Sequence, residues 1–437
     1  MLVYFHIDEV SRDAIVASAL REELKKVGGK LIYGSRQTDS LLRNFNIFDV
    51  VILPSITHYI AIFPDPDELP DNIVILPSET VGQATGHLRR INAKYFGDDS
   101  EYSTPWHQSV AKYLLWGFDH IKPFQEYYPS YIDKCVVVGH PRLADVCLPP
   151  AKRKIGNKPV VGFVTRWSML NAFDGRSIFS AIYMGMKVKE KTQPKFENSD
   201  NRDSEDLIYT EAVDLRVLLK VVKALDSDKY TLSIRIHPRE NRDQWSKFIK
   251  KHGLNVVLAK WDDPFTLWMN DVDIIVSPPS TCFYEILSQN MHPICTRDVI
   301  PHRANHVLTE SDDNNQILNF VYCPKSVDEI VETINSGKVP DMSEGVSEIL
   351  EGQTGLSVAK NAITNIALAL GNLTKNKQLA TTGLRRLLPL AIVAVVIISY
   401  LKYWKNRLFG DGEQGSVFWF TLGRLKMINQ LTGTIKK

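Results

Sequence analysis

The sequence predicts an α/β protein, built as two doubly wound parallel-sheet domains followed by a C-terminal helical tail. Three observations carry this expectation. Short β-rich apolar runs alternate with helix-period segments from Leu2 to Tyr322, the pattern of parallel strands joined by helical crossovers. The Pro- and Lys-rich stretch Leu148–Lys158 interrupts the alternation once and separates an N-terminal domain, 1–150, from a second, 159–370. The remainder, 371–437, is basic and apolar in a way that neither half is.

In the first half, Leu2–Ile7, Lys30–Gly34, Val50–Leu53 and Ile73–Leu76 read as strands and Asp13–Lys26 as an amphipathic helix, with Lys134–Val138 as a later strand. The second half repeats the pattern at Pro159–Val164, Thr231–Ile236, Asn255–Leu258, Asp273–Ser277, Pro293–Cys295 and Asn319–Tyr322. Within it, the polar, charge-dense run Lys187–Asp206 reads as a long loop, either a lid or a solvated insertion. Ligands of such sheets bind outside the carboxyl ends of the strands. That places Asp8, Ser35, Pro54 and Pro77-Ser78-Glu79-Thr80 where chemistry takes place.

Charge narrows the partners. The chain has 52 Lys and Arg against 50 Asp and Glu, but eleven of the basic residues and only Asp411 and Glu413 of the acids fall in 371–437. The tail therefore carries +9 and residues 1–370 carry −7. A mildly acidic body argues against nucleic acid as a partner, because a nucleic-acid binder shows its basic surface on the folded domain itself. Five scattered cysteines (Cys135, Cys147, Cys282, Cys295, Cys323) lack metal-site spacing and point to a reducing compartment, with no metal expected. No basic region followed by an apolar stretch opens the chain, so no secretory signal is expected.

Three motifs carry chemistry. In Asp273-Ile-Ile-Val-Ser277-Pro-Pro-Ser280-Thr281-Cys-Phe-Tyr-Glu285 a strand turns tightly into a helix opened by Ser280 or Thr281. Such a helix start either caps itself or holds a phosphate, with Glu285 a turn away from it for ribose hydroxyls. In Ile236-His237-Pro238-Arg239-Glu240 a β-branched strand delivers His237 to its tip, either as a structural residue or as a donor to a phosphate oxygen. In Leu76-Pro77-Ser78-Glu79, Glu79 is a candidate general base toward an acceptor hydroxyl, with Asp8 the competing carboxylate.

Together with Arg12-Asp13, Trp116-Gly117 and Val138-Gly139-His140-Pro141-Arg142-Leu143, these motifs resemble the bacterial surface carbohydrate biosynthesis protein family, in order over roughly residues 1–330. That family is similar to GT-B glycosyltransferases, two Rossmann-like domains facing a cleft, to bacterial Kdo transferases, and more distantly to the CDP-glycerol glycerophosphotransferases. The resemblance implies a metal-independent transferase that moves a sugar from a CMP-Kdo-like or UDP-sugar donor to a surface polysaccharide or lipopolysaccharide acceptor. The nucleotide sugar is a substrate, and no cofactor is expected. Carried over to this sequence, His237 and Pro238 fall at the donor phosphate, Ser280, Thr281 and Glu285 at the donor-nucleotide helix, and Glu79 at the acid of the first domain; Arg239, Glu240 and Ser277 beside them are further donor-binding candidates. Ser-Glu-Thr stands where the family pattern is Thr-Glu-Gly. A retaining route would need an acid of the second domain, and Asp206, Glu211 and Asp214 all remain open for it.

In the tail, Leu387–Leu401 is an apolar run of fifteen residues, short of the roughly 20 that a spanning helix needs, and it has basic flanks on both sides. Val417–Leu431 mixes Phe418, Trp419 and Phe420 with Arg424 and Lys426, as an interfacial helix does. A membrane-associated anchor over 384–431 is favoured over a single span or a helix buried in the body or an oligomer. It sets the expected location at the cytoplasmic face of a bacterial inner membrane, near a lipid-linked glycan acceptor. A sugar-nucleotide epimerase of GT-B fold, or a non-catalytic scaffold in polysaccharide assembly, is the competing reading.

Overall fold

Five consecutive buried residues, Leu2–His6, form β1, an interior strand of a parallel sheet. It pairs with β2 (Lys30–Gly34) on one side and β3 (Val50–Leu53) on the other. Outward from β3 follow β4 (Ile73–Ile75), β5 (Lys112–Leu115) and β6 (Cys135–Val137), so the strand order is β2-β1-β3-β4-β5-β6. Strands covered by helices on both faces bury both faces. This is why β1, β3 and β4 read as continuous apolar runs rather than alternating ones. Among the described residues four helices accompany them: α1 (Val10–Lys26), α2 (Ile56–Ile62), α3 (Thr104–Ser109) and α4 (Lys122–Tyr127). Leu20 and Leu24 of α1 are fully buried, and Ser55 caps α2 by accepting from the His58 N–H at 3.1 Å.

The second sheet has the order β11-β10-β7-β8-β9, again all parallel. Its elements are β7 (Val160–Val164), α5 (Ser204–Ala224), β8 (Thr231–Arg235), α6 (Arg242–His252), β9 (Val257–Leu258), α7 (Phe265–Asn270), β10 (Ile274–Ser277), α8 (Cys282–Ser288), β11 (Ile294–Cys295) and α9 (Val327–Ser336). Gly162 in β7 admits the ring of Trp268, which would lie 2.7 Å from a Cβ there. Asn241 and Ser326 cap α6 and α9, and Gly253 and Gly337, at φ +59° and +67°, end them. The strands expected from the sequence lie within two residues of those found, with one exception. Asn319–Tyr322 holds no strand. Gln316–Phe320 is a 3₁₀ turn that buries Ile317 and Leu318, and a single bridge joins Tyr322 to Ile294.

This computed structural model describes residues 1–34, 47–78, 104–148, 158–172, 177–178, 204–260, 263–300 and 316–374. The chain divides into one unit formed by Met1–Leu148 with the segment from Glu351 onward, and another formed by Pro149–Leu350. The expected boundary at 370 is therefore corrected. After α10 (Val346–Thr354), the helices α11 (Leu356–Ala359) and α12 (Ala362–Thr374) belong to the first unit. Polar ties hold them there: His140 N–H donates to the Thr354 carbonyl, Asp145 N–H to that of Lys360, and Asn365 Nδ2 to that of Val138. Two glycines make the seat. A Cβ on Gly117 would collide with the Gly352 carbonyl, and one on Gly139, at φ +90°, would lie 2.5 Å from Ala359 Cα. Gly117 and Gly139, both within the family-like motifs, therefore have packing roles. The apolar and basic segments at 384–431, and all of the loop Lys187–Asp206 before Ser204, lie outside the described residues. Among the described residues no helix is long and apolar enough to cross a membrane.

Candidate functional site

In a doubly wound sheet the crevice forms where the direction of winding reverses. In the second sheet that point lies between β7 and β10, and the segments leaving those strands meet there: Arg166, two residues past β7, donates through Nη1 to the Pro279 carbonyl at 2.7 Å. The segment after β8 is tied in as well. The His237 N–H donates to Thr165 Oγ1 at 3.1 Å, and Asn241 N–H donates to the Asn171 carbonyl at 2.9 Å. Loops from three strand ends thus form one hydrogen-bonded rim.

Side chains on this rim divide into builders and presenters. Glu240 is a builder. Its buried carboxylate accepts from Thr165 Oγ1 at 2.6 Å, Trp245 Nε1 at 2.8 Å, Trp167 N–H at 2.9 Å and His237 N–H at 3.4 Å. Burial raises its pKa, against those bonds. Glu240, expected as a donor-binding group, is thus placed with its carboxylate engaged by the protein. Ser277 is likewise engaged. It is fully buried, and its Oγ donates to the Pro278 carbonyl at 2.8 Å. Glu285, expected at the ribose, is 4% exposed inside α8.

The presenters are His237, Arg239, Ser280 and Thr281. His237 Nδ1 accepts from the Arg239 N–H at 3.2 Å, which leaves the proton of the neutral ring on Nε2 as a donor. His237 is half-buried, while Pro238, Arg239 and Thr281 are exposed. Ser280, not Thr281, caps the turn, its Oγ accepting from the Cys282 N–H at 3.3 Å. Of the acids left open for a retaining route, Glu211 accepts from the Met169 and Leu170 N–H groups at 2.9 and 2.8 Å, and Asp214 accepts from Thr296 Oγ1 at 3.4 Å. Both are buried, which pushes them up to about 7 and about 6. They hold the loop after β7 and the segment after β11. The side chain of Asp206 lies outside the described residues.

In the first sheet the winding reverses between β1 and β3, and a small cavity of about 20 Å³ opens there among His6, Asp13, Pro54, Ser78, Trp116 and Arg142. Asp8 is not among the lining residues; its N–H donates to Asp13 Oδ2 at 3.0 Å, and its carboxylate is engaged, with Arg12 Nη2 reaching its Oδ2 at 3.1 Å while Arg12 Nε reaches Asp13 at 3.1 Å. Arg142 Nη1 donates to the Ser78 carbonyl at 3.3 Å. Glu79 lies outside the described residues, and Ser78 is the last one before it. Among the described residues no group of His, Cys, Asp and Glu is placed to hold a metal ion.

The fold is similar to that of the wall teichoic acid polymerase TagF. A TagF structure soaked with CDPG superposes with a TM-score of 0.54 at 8% identity, covering 86% of this chain and 89% of that one. A second TagF structure gives 0.53 at 10% identity over the same shares. A UDP-GlcNAc 2-epimerase from Neisseria meningitidis, at 13% identity over 85% of this chain and 99% of that one, reaches only 0.40 and carries no weight here. No protein-family model matches the chain, and no curated protein matches it by sequence. The likeness to TagF supports a GT-B-like α/β fold with parallel sheets. It does not single out the Kdo transferases.

Two residues that organise the rim, Thr165 and Arg166, escaped the sequence reading. Their signal is weak: a hydroxyl and a base just past the strand Pro159–Val164, in a position equivalent to His237 after its own strand. Their partners lie some seventy and more residues away, at Glu240 and Pro279.

Proposed function

We propose that the chain is a GT-B-type transferase that takes a nucleotide-activated donor in its second unit and passes the activated group to a surface-glycan acceptor. One observation carries this reading: the Arg166–Pro279 and His237–Thr165 bonds bring three strand ends together at the winding reversal, with the Nε2–H of His237 and the hydroxyls of Ser280 and Thr281 on the rim. Hydrogen-bond donors fixed in place before the substrate arrives stabilise negative charge as it builds on a departing nucleotide phosphate. Arg166 adds a guanidinium whose Nη1 is held by Pro279. The likeness to TagF, soaked with CDPG, supports testing CDPG beside CMP-Kdo-like and UDP-linked donors. The basic tail supports a reaction at the cytoplasmic face of the inner membrane, on a lipid-linked acceptor.

The test is titration of the full chain with CMP, CDP and UDP, followed by NMR product analysis with CDPG, CMP-Kdo and a panel of UDP-sugars. Binding of one nucleotide class, with transfer to acceptor or slow hydrolysis of its donor, supports the reading. A nucleotide sugar returned with altered configuration in the absence of acceptor makes the chain an epimerase. No binding of any nucleotide overturns donor use altogether.

A further inference from the structure

Edge strand β11 ends at Cys295, and the chain comes back to it at Tyr322, which bridges Ile294 in parallel register and accepts from the Cys295 N–H at 2.8 Å. Cys295 and Cys323 each stand one residue past that bridged pair, so the pleat turns both side chains to the same face. The two thiols are therefore neighbours on that face. Cys295 is fully buried and Cys323 half-buried, its Sγ also 3.4 Å from the Val321 carbonyl. Burial raises the Cys295 thiol well above its ordinary value, and the other three cysteines behave in the same way. Burial pushes the thiols of Cys135, Cys147 and Cys282 up to about 12. Cys323 is instead held below the ordinary thiol value by the Cys295 side chain and, to a lesser degree, the Arg297 guanidinium, against burial and the Asp298 carboxylate.

We propose that Cys295 and Cys323 form a reversible disulfide site that responds to hydroperoxides. The Cys323 thiolate attacks one oxygen of the peroxide, the O–O bond breaks, and a sulfenic acid forms as water or an alcohol leaves with a proton from solvent. Cys295 then gives up its proton and its sulfur attacks the sulfenyl sulfur. The S–S bond forms, and the departing hydroxide takes a proton and leaves as water. Two thiols are oxidised and one hydroperoxide is reduced. The bridge closes a covalent ring between Cys295 and Cys323, and Thr296, next to Cys295, donates its N–H to the Ser277 carbonyl on the candidate donor rim at 3.0 Å.

The test treats the reduced full chain with hydrogen peroxide, blocks remaining thiols with iodoacetamide and maps the peptides by mass spectrometry. The expected product is a single cross-link joining Cys295 to Cys323, two hydrogens lighter than the reduced pair and undone by dithiothreitol. Cys323→Ser abolishes it. Cys295→Ala leaves a sulfenic acid at Cys323 that dimedone traps, so the site can be read even when no bridge forms. Arg297→Gln slows cross-linking roughly three- to tenfold with the same end point. A cross-link through Cys135, Cys147 or Cys282, or Cys323 passing to the sulfinic acid with Cys295 still free, overturns the proposal.

Discussion

Two His-Pro-Arg corners follow a strand in this chain, one in each unit, and locally they are built alike. The Arg142 N–H donates to His140 Nδ1 and the Arg239 N–H to His237 Nδ1, both at 3.2 Å. What covers them differs. His140 is fully buried, its ring 4.0 Å from that of Trp116 and its N–H given to Thr354 of the returning C-terminal segment. Burial, reinforced by the Arg142 cation, holds its pKa well below the usual histidine range. His237 is half-exposed on the second unit's rim. The tripeptide sets a turn and orients a ring; the element packed over it decides whether that ring is a wall or a donor.

The sharpest way to break this contrast is to truncate both rings. His237→Ala should lower turnover by roughly 100- to 1000-fold, as loss of one preorganised donor does, with the melting temperature unchanged. His140→Ala should do the reverse. It should cost about 3 kcal/mol of stability in chemical denaturation, with donor affinity unchanged in whatever fraction stays folded. Equal activity losses in both variants would mean that cover does not separate the corners.

Next in size is a difference in pH response. In the first unit, burial lowers His107 to about 3 and His120 to about 4. The unfolded chain binds these protons first, so the first unit should lose stability as pH falls below about 6.5, by on the order of 3 kcal/mol for His120. In the second unit Glu211 and Asp214 are raised to about 7 and about 6. There the folded state holds the protons, so stability is full below about pH 4 and falls as pH rises toward 7. Hydrogen exchange at pH 5 and pH 8 should show opposite trends in peptides of the two units, and Glu211→Gln should flatten the second. The smallest expected effect belongs to Asp8→Asn. With its oxygen already engaged by Arg12, the change should alter turnover threefold or less, the scale of a partly exposed ion pair. A hundredfold loss would make Asp8 the general base after all.

Most of the architecture was legible because strands buried on both faces are short, apolar and bounded by Pro, Gly or polar residues. Asn319–Tyr322 misled because a short apolar run buries equally well as a 3₁₀ turn. The rim was half legible. Strand-end punctuation revealed His237 and Ser280 but not the four donors that engage Glu240, and no spacing links Thr165 to a carboxylate 75 residues on. The return of 351–374 was illegible for the same reason. An amphipathic helix does not say which core it faces, and Gly117 and Gly139 take on meaning only once Gly352 and Ala359 lie against them.

That return makes the first unit discontinuous in the chain, with 149–350 inserted between its parts. On a ribosome the inserted unit emerges whole and can complete its sheet while the first is still missing α12. The first unit finishes last, despite starting first, and must wait with the faces of Gly117 and Gly139 uncovered for some two hundred residues of synthesis. Truncation near residue 350 should therefore yield an incomplete N-terminal unit attached to an intact C-terminal one. The order of folding is set by where the chain's last described helices dock.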